Sequence, residues 1–110
     1  MDLVKTADAL RSLGRYDEAL AMGERALAIE RKRGGADSAI SGDAHDVCAL
    51  LLCELGRLDE ALEHIDMAVA ITGLQGRVGA QKQERTELQT KILDAISRRE
   101  MRKESDKACR

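Results

Sequence analysis

The amino-acid sequence predicts an all-α protein: a short α-solenoid of two helix-turn-helix repeats followed by a C-terminal capping helix. Three observations carry that expectation. The segment LGRYDEAL, Leu13 to Leu20, returns as LGRLDEAL, Leu55 to Leu62, 42 positions later. The 110 residues are 35% charged and 44% hydrophobic with no Pro, a composition of strong helix formers. Apolar residues recur at helical spacing on both sides of each shared glycine.

The likeness between the two segments extends beyond the octapeptide. Residues 10–29 set against 52–71 give 11 identities in 20 without a gap, and Ala7 matches Ala49 upstream. Self-similarity at a fixed period marks an internal repeat. Each unit reads as two helices around a glycine. Leu3, Ala7, Leu10 and Leu13 form an apolar row in the first helix. Gly14 then takes the left-handed conformation that ends a helix without a Cβ penalty. Asp17 and Glu18 sit in the first turn of the next helix, where the positive end of the dipole favours acids. Ala19, Gly23 and Ala26 make a small-residue stripe that lets two backbones come close, and Leu20, Leu27 and Ile29 fill the stripe beside it. In the second unit Ala49, Leu55, Gly56, Leu58, Ala61 and Ala68 repeat the roles of Ala7, Leu13, Gly14, Tyr16, Ala19 and Ala26. Helices are expected near 2–13, 16–33, 43–55, 58–72 and 77–104. Asp43 is the expected N-cap of the third, GGADSAISGD (Gly34 to Asp43) the turn before it, and TGLQG (Thr72 to Gly76) the break before the fifth.

The Leu-Gly-x-Tyr/Leu-Asp-Glu-Ala-Leu hairpin with its later alanines (Ala19 and Ala26; Ala61 and Ala68) resembles the tetratricopeptide repeat over residues 3–72. The usual repeat is about 34 residues long. The longer 42-residue spacing and the extended second helix, RALAIERKRGG, look like the kinesin-light-chain type of this repeat. The family's Pro after the second helix and its large aromatics are missing; Tyr16 is the only aromatic residue. The resemblance implies that the first helix of each hairpin lines a concave face that receives a peptide or protein segment. On that basis the inward positions are Val4, Asp8, Arg11 and Ser12, then Asp46, Leu50, Cys53 and Glu54. Leu50-Leu51-Leu52 is too apolar for a helix with one buried side, which predicts an apolar spot at Leu50 with Asp46 and Arg11 nearby. The family's two-carboxylate clamp uses Lys, Asn and Arg on these faces. Here Asp8 and Asp46 stand there and the chain has no Asn, so a basic or apolar ligand suits it better than an acidic C-terminus.

The chain divides at about residue 76. Residues 1–76, holding the repeats at about 1–34 and 43–73, carry 8 Lys/Arg against 14 Asp/Glu, a balance of −6; residues 77–110 carry 10 against 6, a balance of +4. Leu88, Ile92, Leu93 and Ile96 form one apolar stripe in the tail, and SRREMRKESDKACR beyond them is almost entirely polar. A helix with one apolar and one charged face covers the open end of a solenoid; the rival reading is a third repeat cut short. Its charged end is expected to fray. The opposite charges of the two halves also allow pairing between chains, so a homo-oligomer is possible.

Chemistry finds little support. His45 and Cys48 share a helix face, but Cys48 and Cys53 lie about 140° apart around it, wrong for one tetrahedral metal. The bland reading is two small, partly buried thiols and a surface histidine. His64 stands where the first repeat has Met22, which suggests a tolerant, partly exposed position. The glycines fit no phosphate loop, and the paired acids of YDE and LDE serve the helix dipole. No catalytic constellation, cofactor or metal is expected. The basic tail interleaves Glu100, Glu104 and Asp106 and has no aromatic to stack on bases, which speaks against nucleic acid. Three Cys without a CxxC, no apolar span and no basic-apolar leader point to the cytoplasm and away from the membrane. The expected function is therefore a non-catalytic scaffold or adaptor that binds protein. The alternatives are a regulatory repeat module of a larger protein such as a signalling enzyme, and, from another class, a weak nucleic-acid or metal binder using the basic tail or His45 and Cys48.

Overall fold

A computed structural model describes residues 2–74 and 80–108. Five helices follow in order: α1 (Leu3–Ser12), α2 (Tyr16–Lys32), α3 (Ala39–Glu54), α4 (Leu58–Leu74) and α5 (Ala80–Ala108). There is no strand among the described residues. The helices pair as α1 with α2 and α3 with α4. The hairpins stack through α2 against α3 and α1 against α3, and α5 lies against α4.

The two hairpin turns are built alike. Gly14 and Gly56 have φ of +78° and +76°. At the first turn the Gly14 amide donates to the Arg11 carbonyl (3.0 Å) and the Arg15 amide to the Leu10 carbonyl (2.9 Å). At the second, Gly56 donates to Cys53 (3.1 Å) and Arg57 to Leu52 (2.8 Å). These paired bonds satisfy the last carbonyls of a helix and reverse the chain. Arg15 pairs with Glu18, and Arg57 with Glu60, at the same register of the following helix. At the start of α1, the Asp2 carboxylate accepts from the amides of Val4 (3.1 Å) and Lys5 (3.2 Å).

The third helix begins earlier than the sequence suggests. Ser38, not Asp43, is its N-cap: the Ser38 hydroxyl oxygen accepts from the Ser41 amide at 3.1 Å. That hydroxyl also donates to the buried Glu30 carboxylate (3.0 Å), and the Ser41 hydroxyl donates to the Gly35 carbonyl (2.6 Å). This serine pair satisfies the helix start one turn before Asp43, which then lies inside α3. The expected turn Gly34–Asp43 shrinks accordingly, and Gly42 becomes a buried helical residue. Helix α4 runs two residues past its expected end, and the rest of the Thr72–Gly76 break lies outside the described residues.

Seven alanines, at 7, 19, 26, 44, 49, 61 and 68, are buried among Leu20, Leu27, Leu51, Leu52, Ile65 and Ile92. Alanines bury little area each, but they let helix axes approach, which suits a core with no Phe or Trp. Leu13 departs from its expected place in the apolar row: it caps α1 and is 71% exposed, whereas Leu55 packs on the core. On α5, Leu88, Ile92 and Ile96 face the core, but Leu93 does not; it is 49% exposed. The register puts Leu93 about 100° around the helix from Ile92.

Candidate protein-binding face

Helices α1 and α3 lie side by side, and the eight positions assigned to the concave face all keep contact with solvent. Val4, Arg11, Asp46, Leu50 and Cys53 are half-buried; Asp8, Ser12 and Glu54 are exposed. Leu51 and Leu52 are fully buried, so Leu50 is the member of the leucine triplet that reaches the surface. Arg11 holds Asp8 with Nη2 at 2.8 Å and Nε at 3.2 Å from the same carboxylate oxygen. Beside this face lies a cleft of about 520 Å³ between α1, α2 and α3, lined by Leu3, Val4, Ile29 and Ile40 and by charged residues of both signs.

Asp46 anchors the electrostatics. Burial pushes its carboxyl up from the ordinary range, Arg85 opposes that shift, and Asp43 and Glu84 add to it. Arg85 is the residue the sequence reading missed. It stands in a charged run on α5, yet it is 1% exposed. Its Nη2 donates to Asp43 at 2.8 Å, its Nη1 to the Thr72 hydroxyl at 2.5 Å, and its Nε lies 3.8 Å from Asp46. Gly42 makes room: a Cβ there would stand 3.2 Å from Nη1.

The second omission is a histidine pair. His45, expected at the surface, is half-buried against His64 of α4, with Nδ1 to Nδ1 at 2.9 Å and ring centroids 5.2 Å apart. One ring N–H donates to the other ring's lone pair, which requires the accepting ring to be neutral. Burial first, and then the neighbouring His64, lower His45 to about 4; burial also lowers His64. The signal in sequence was faint, a histidine 19 residues away on another helix. Cys48 is fully buried and its thiol is pushed up to about 12, mainly by burial, and Cys53 is raised for the same reason. Such thiols are poor nucleophiles at neutral pH. No three His, Cys, Asp or Glu side chains converge as a metal site among the described residues.

The arrangement offers a helical surface with an apolar centre and paired charges, and two Gly-hinged hairpins of matching register behind it. The family model of the tetratricopeptide repeat matches residues 3–72. This chain belongs to the tetratricopeptide repeat family. Neither the curated proteins nor the solved structures give a match. Tetratricopeptide repeats are protein-interaction modules, and that general role places the interest of this chain in its helical faces. No helix among the described residues is long and apolar enough to cross a membrane.

Proposed function

We propose that the chain is a non-catalytic adaptor of the kinesin-light-chain-like 42-residue repeat type, receiving a peptide or protein segment on the face formed by α1 and α3. The observation that carries this reading is Leu50: an apolar side chain left half-exposed beside two buried leucines, with Asp46 one turn away on the same helix. The ligand that suits it is an apolar segment bearing a basic residue, since Asp46 and Asp8 both stand on this face. In this reading α5 serves as the cap of the second hairpin. The test is a peptide-display selection against the whole chain. Peptides selected on the native protein are expected to lose about tenfold or more in affinity against Leu50→Glu and to keep it against Ala28→Glu, on the exposed side of α2. Peptides indifferent to Leu50→Glu would place the ligand elsewhere.

A further inference from the structure

Helix α5 carries two seams. One, Arg85, Leu88, Ile92 and Ile96, is turned to the body of the protein. The other, Thr86, Thr90, Leu93, Ser97 and Met101, repeats at steps of four, three, four and four, one face of a straight helix. From Thr86 to Ser97 the seam carries no charge, and Glu100 flanks its far end one heptad after Leu93. Leu93 is 49% exposed and Met101 70%. The threonines on this seam need no water. The Thr86 hydroxyl donates to the carbonyls of Lys82 and Gln83, both at 3.0 Å, and the Thr90 hydroxyl to that of Thr86 at 2.9 Å. Their hydroxyls are turned onto their own helix, so contact with an apolar surface leaves no donor orphaned.

A column of charge borders the seam: Glu87, Lys91, Asp94 and Arg98, alternating in sign. Arg98 already meets Asp94 within the helix at 2.9 Å, but both are well exposed and free to exchange partners. Between copies related by a two-fold axis, the column is self-complementary in one direction alone. Two parallel copies set each charge beside its like. Two antiparallel copies set Glu87 against Arg98 of the second copy and Lys91 against Asp94 of the second copy, around a centre between residues 92 and 93. With the centre moved half a residue, onto Leu93, the same antiparallel arrangement brings Leu93 onto Leu93, and the two charge pairs, Thr90 with Ser97, and Thr86 with Met101 each stand within one residue's rise, about 1.5 Å, of level. A shallow depression of about 340 Å³, lined by Thr86, Glu87, Thr90 and Lys91, lies where that Met101 would arrive. Methionine fills irregular gaps of this kind well.

We propose that the chain forms a two-fold dimer through the outer seam of α5, antiparallel, with Leu93 on the axis and Met101 of each copy seated in the Thr86/Thr90 depression of the other. The occupant is a second copy of this chain, because the charge column and the depression complement this helix itself. An isologous contact of this kind closes on itself, so it yields a dimer and no filament. It uses neither Leu50 nor the α1/α3 face, so it stands or falls apart from the proposed ligand site.

Sedimentation velocity of the full chain, in a series from micromolar to submillimolar, is the test. A monomer–dimer equilibrium is expected. Leu93→Glu places two like charges on the axis and is expected to weaken the dimer by on the order of a hundredfold, with helicity by circular dichroism unchanged. Lys91→Glu and Asp94→Lys are each expected to weaken it about tenfold, and the double variant Lys91→Glu/Asp94→Lys to restore it. A chain that stays monomeric throughout the series overturns the proposal. So does a dimer that Leu93→Glu leaves unmoved, or one that the double variant fails to recover.

Discussion

The junction between α2 and α3 and the junction between α4 and α5 occupy equivalent places in the stack, yet they are made of opposite materials. At the first, Gly23 sits so close to α3 that a Cβ there would stand 2.7 Å from the Cys48 sulfur. Around Gly23 the contact is apolar and set by the absence of a side chain, and the Glu30 carboxylate that receives the Ser38 hydroxyl lies at its far end. At the second, the position equivalent to Gly23 is Ile65, fully buried, and the contact turns on the Arg85 guanidinium threaded between Gly42, Thr72 and Asp43. One repeat pattern therefore tolerates two ways of joining the next helix. Small residues bring axes together at the inner junction, and at the outer one a glycine on the third helix admits a long cation from the fifth.

The charged junction is the easier to break. Arg85→Ala leaves a cavity and removes the guanidinium's bonds to Asp43 and Thr72, and is expected to lower stability by about 3 kcal/mol. Arg85→Met keeps the volume, and because Asp43 and Asp46 remain partly in water, it is expected to change stability by about 1 kcal/mol or less. Urea unfolding of the two variants separates packing from charge. Equal losses would mean that the ion pairs, not the filled space, hold α5.

The close-packed junction breaks by addition. Gly23→Ala gains up to about 1 kcal/mol of helix propensity but forces a methyl against the buried Cys48, an overpacking worth about 1–3 kcal/mol. A net loss of about 1 kcal/mol is expected, most of it recovered in Gly23→Ala/Cys48→Ala, where the clashing sulfur is gone. Additivity of the two changes would show that the sites do not touch, because coupling is the signature of contact.

These junctions also mark how far the sequence could be read. The hairpins were legible because their causes are local. A glycine at the helix end, acids one turn later and alanines at steps of seven all lie within one unit, and each is visible twice. The start of α3 was misread because Asp43 is as good a cap as Ser38 by type; what decides between them is Glu30, whose carboxylate receives the Ser38 hydroxyl from another helix. Arg85 was illegible for a stronger reason. A lone Arg between Glu84 and Thr86 looks solvated, and its burial depends on Gly42, Asp43 and Thr72, none of them on its own helix. Leu93 was placed on the wrong seam because it adjoins Ile92, and neighbours on a helix do not share a face. The concave-face positions came from the family pattern, with only the surplus of apolar character at Leu50 contributed by the residues themselves.

A smaller effect tells the two hairpins apart. The second holds His45 against His64; the first has Met22 where the second has His64. Both rings are less basic folded than unfolded, so between pH 6.5 and about 4, the folded value for His45, the folded chain binds fewer protons than the unfolded one. Stability is then fully present above pH 6.5 and falls as the pH drops through that window. With the rings half-exposed, solvent screening leaves an effect on the order of 1 kcal/mol. Glu24 on α2, with Glu60 and Glu63 on α4, moderates it at His64; Arg31 and Arg85 deepen it at His45. Asp46 acts the other way at the acid end, since its raised carboxyl favours the folded state when protonated, so the informative quantity is a difference between variants. His64→Met writes the first hairpin's residue into the second. It removes one of the two titrating rings and the charge that opposes protonation of His45, but it leaves His45 buried. The pH dependence of the urea midpoint is therefore expected to shrink by about half without vanishing. A slope unchanged by His64→Met would mean that burial alone, and not the facing ring, sets the acid sensitivity of α3.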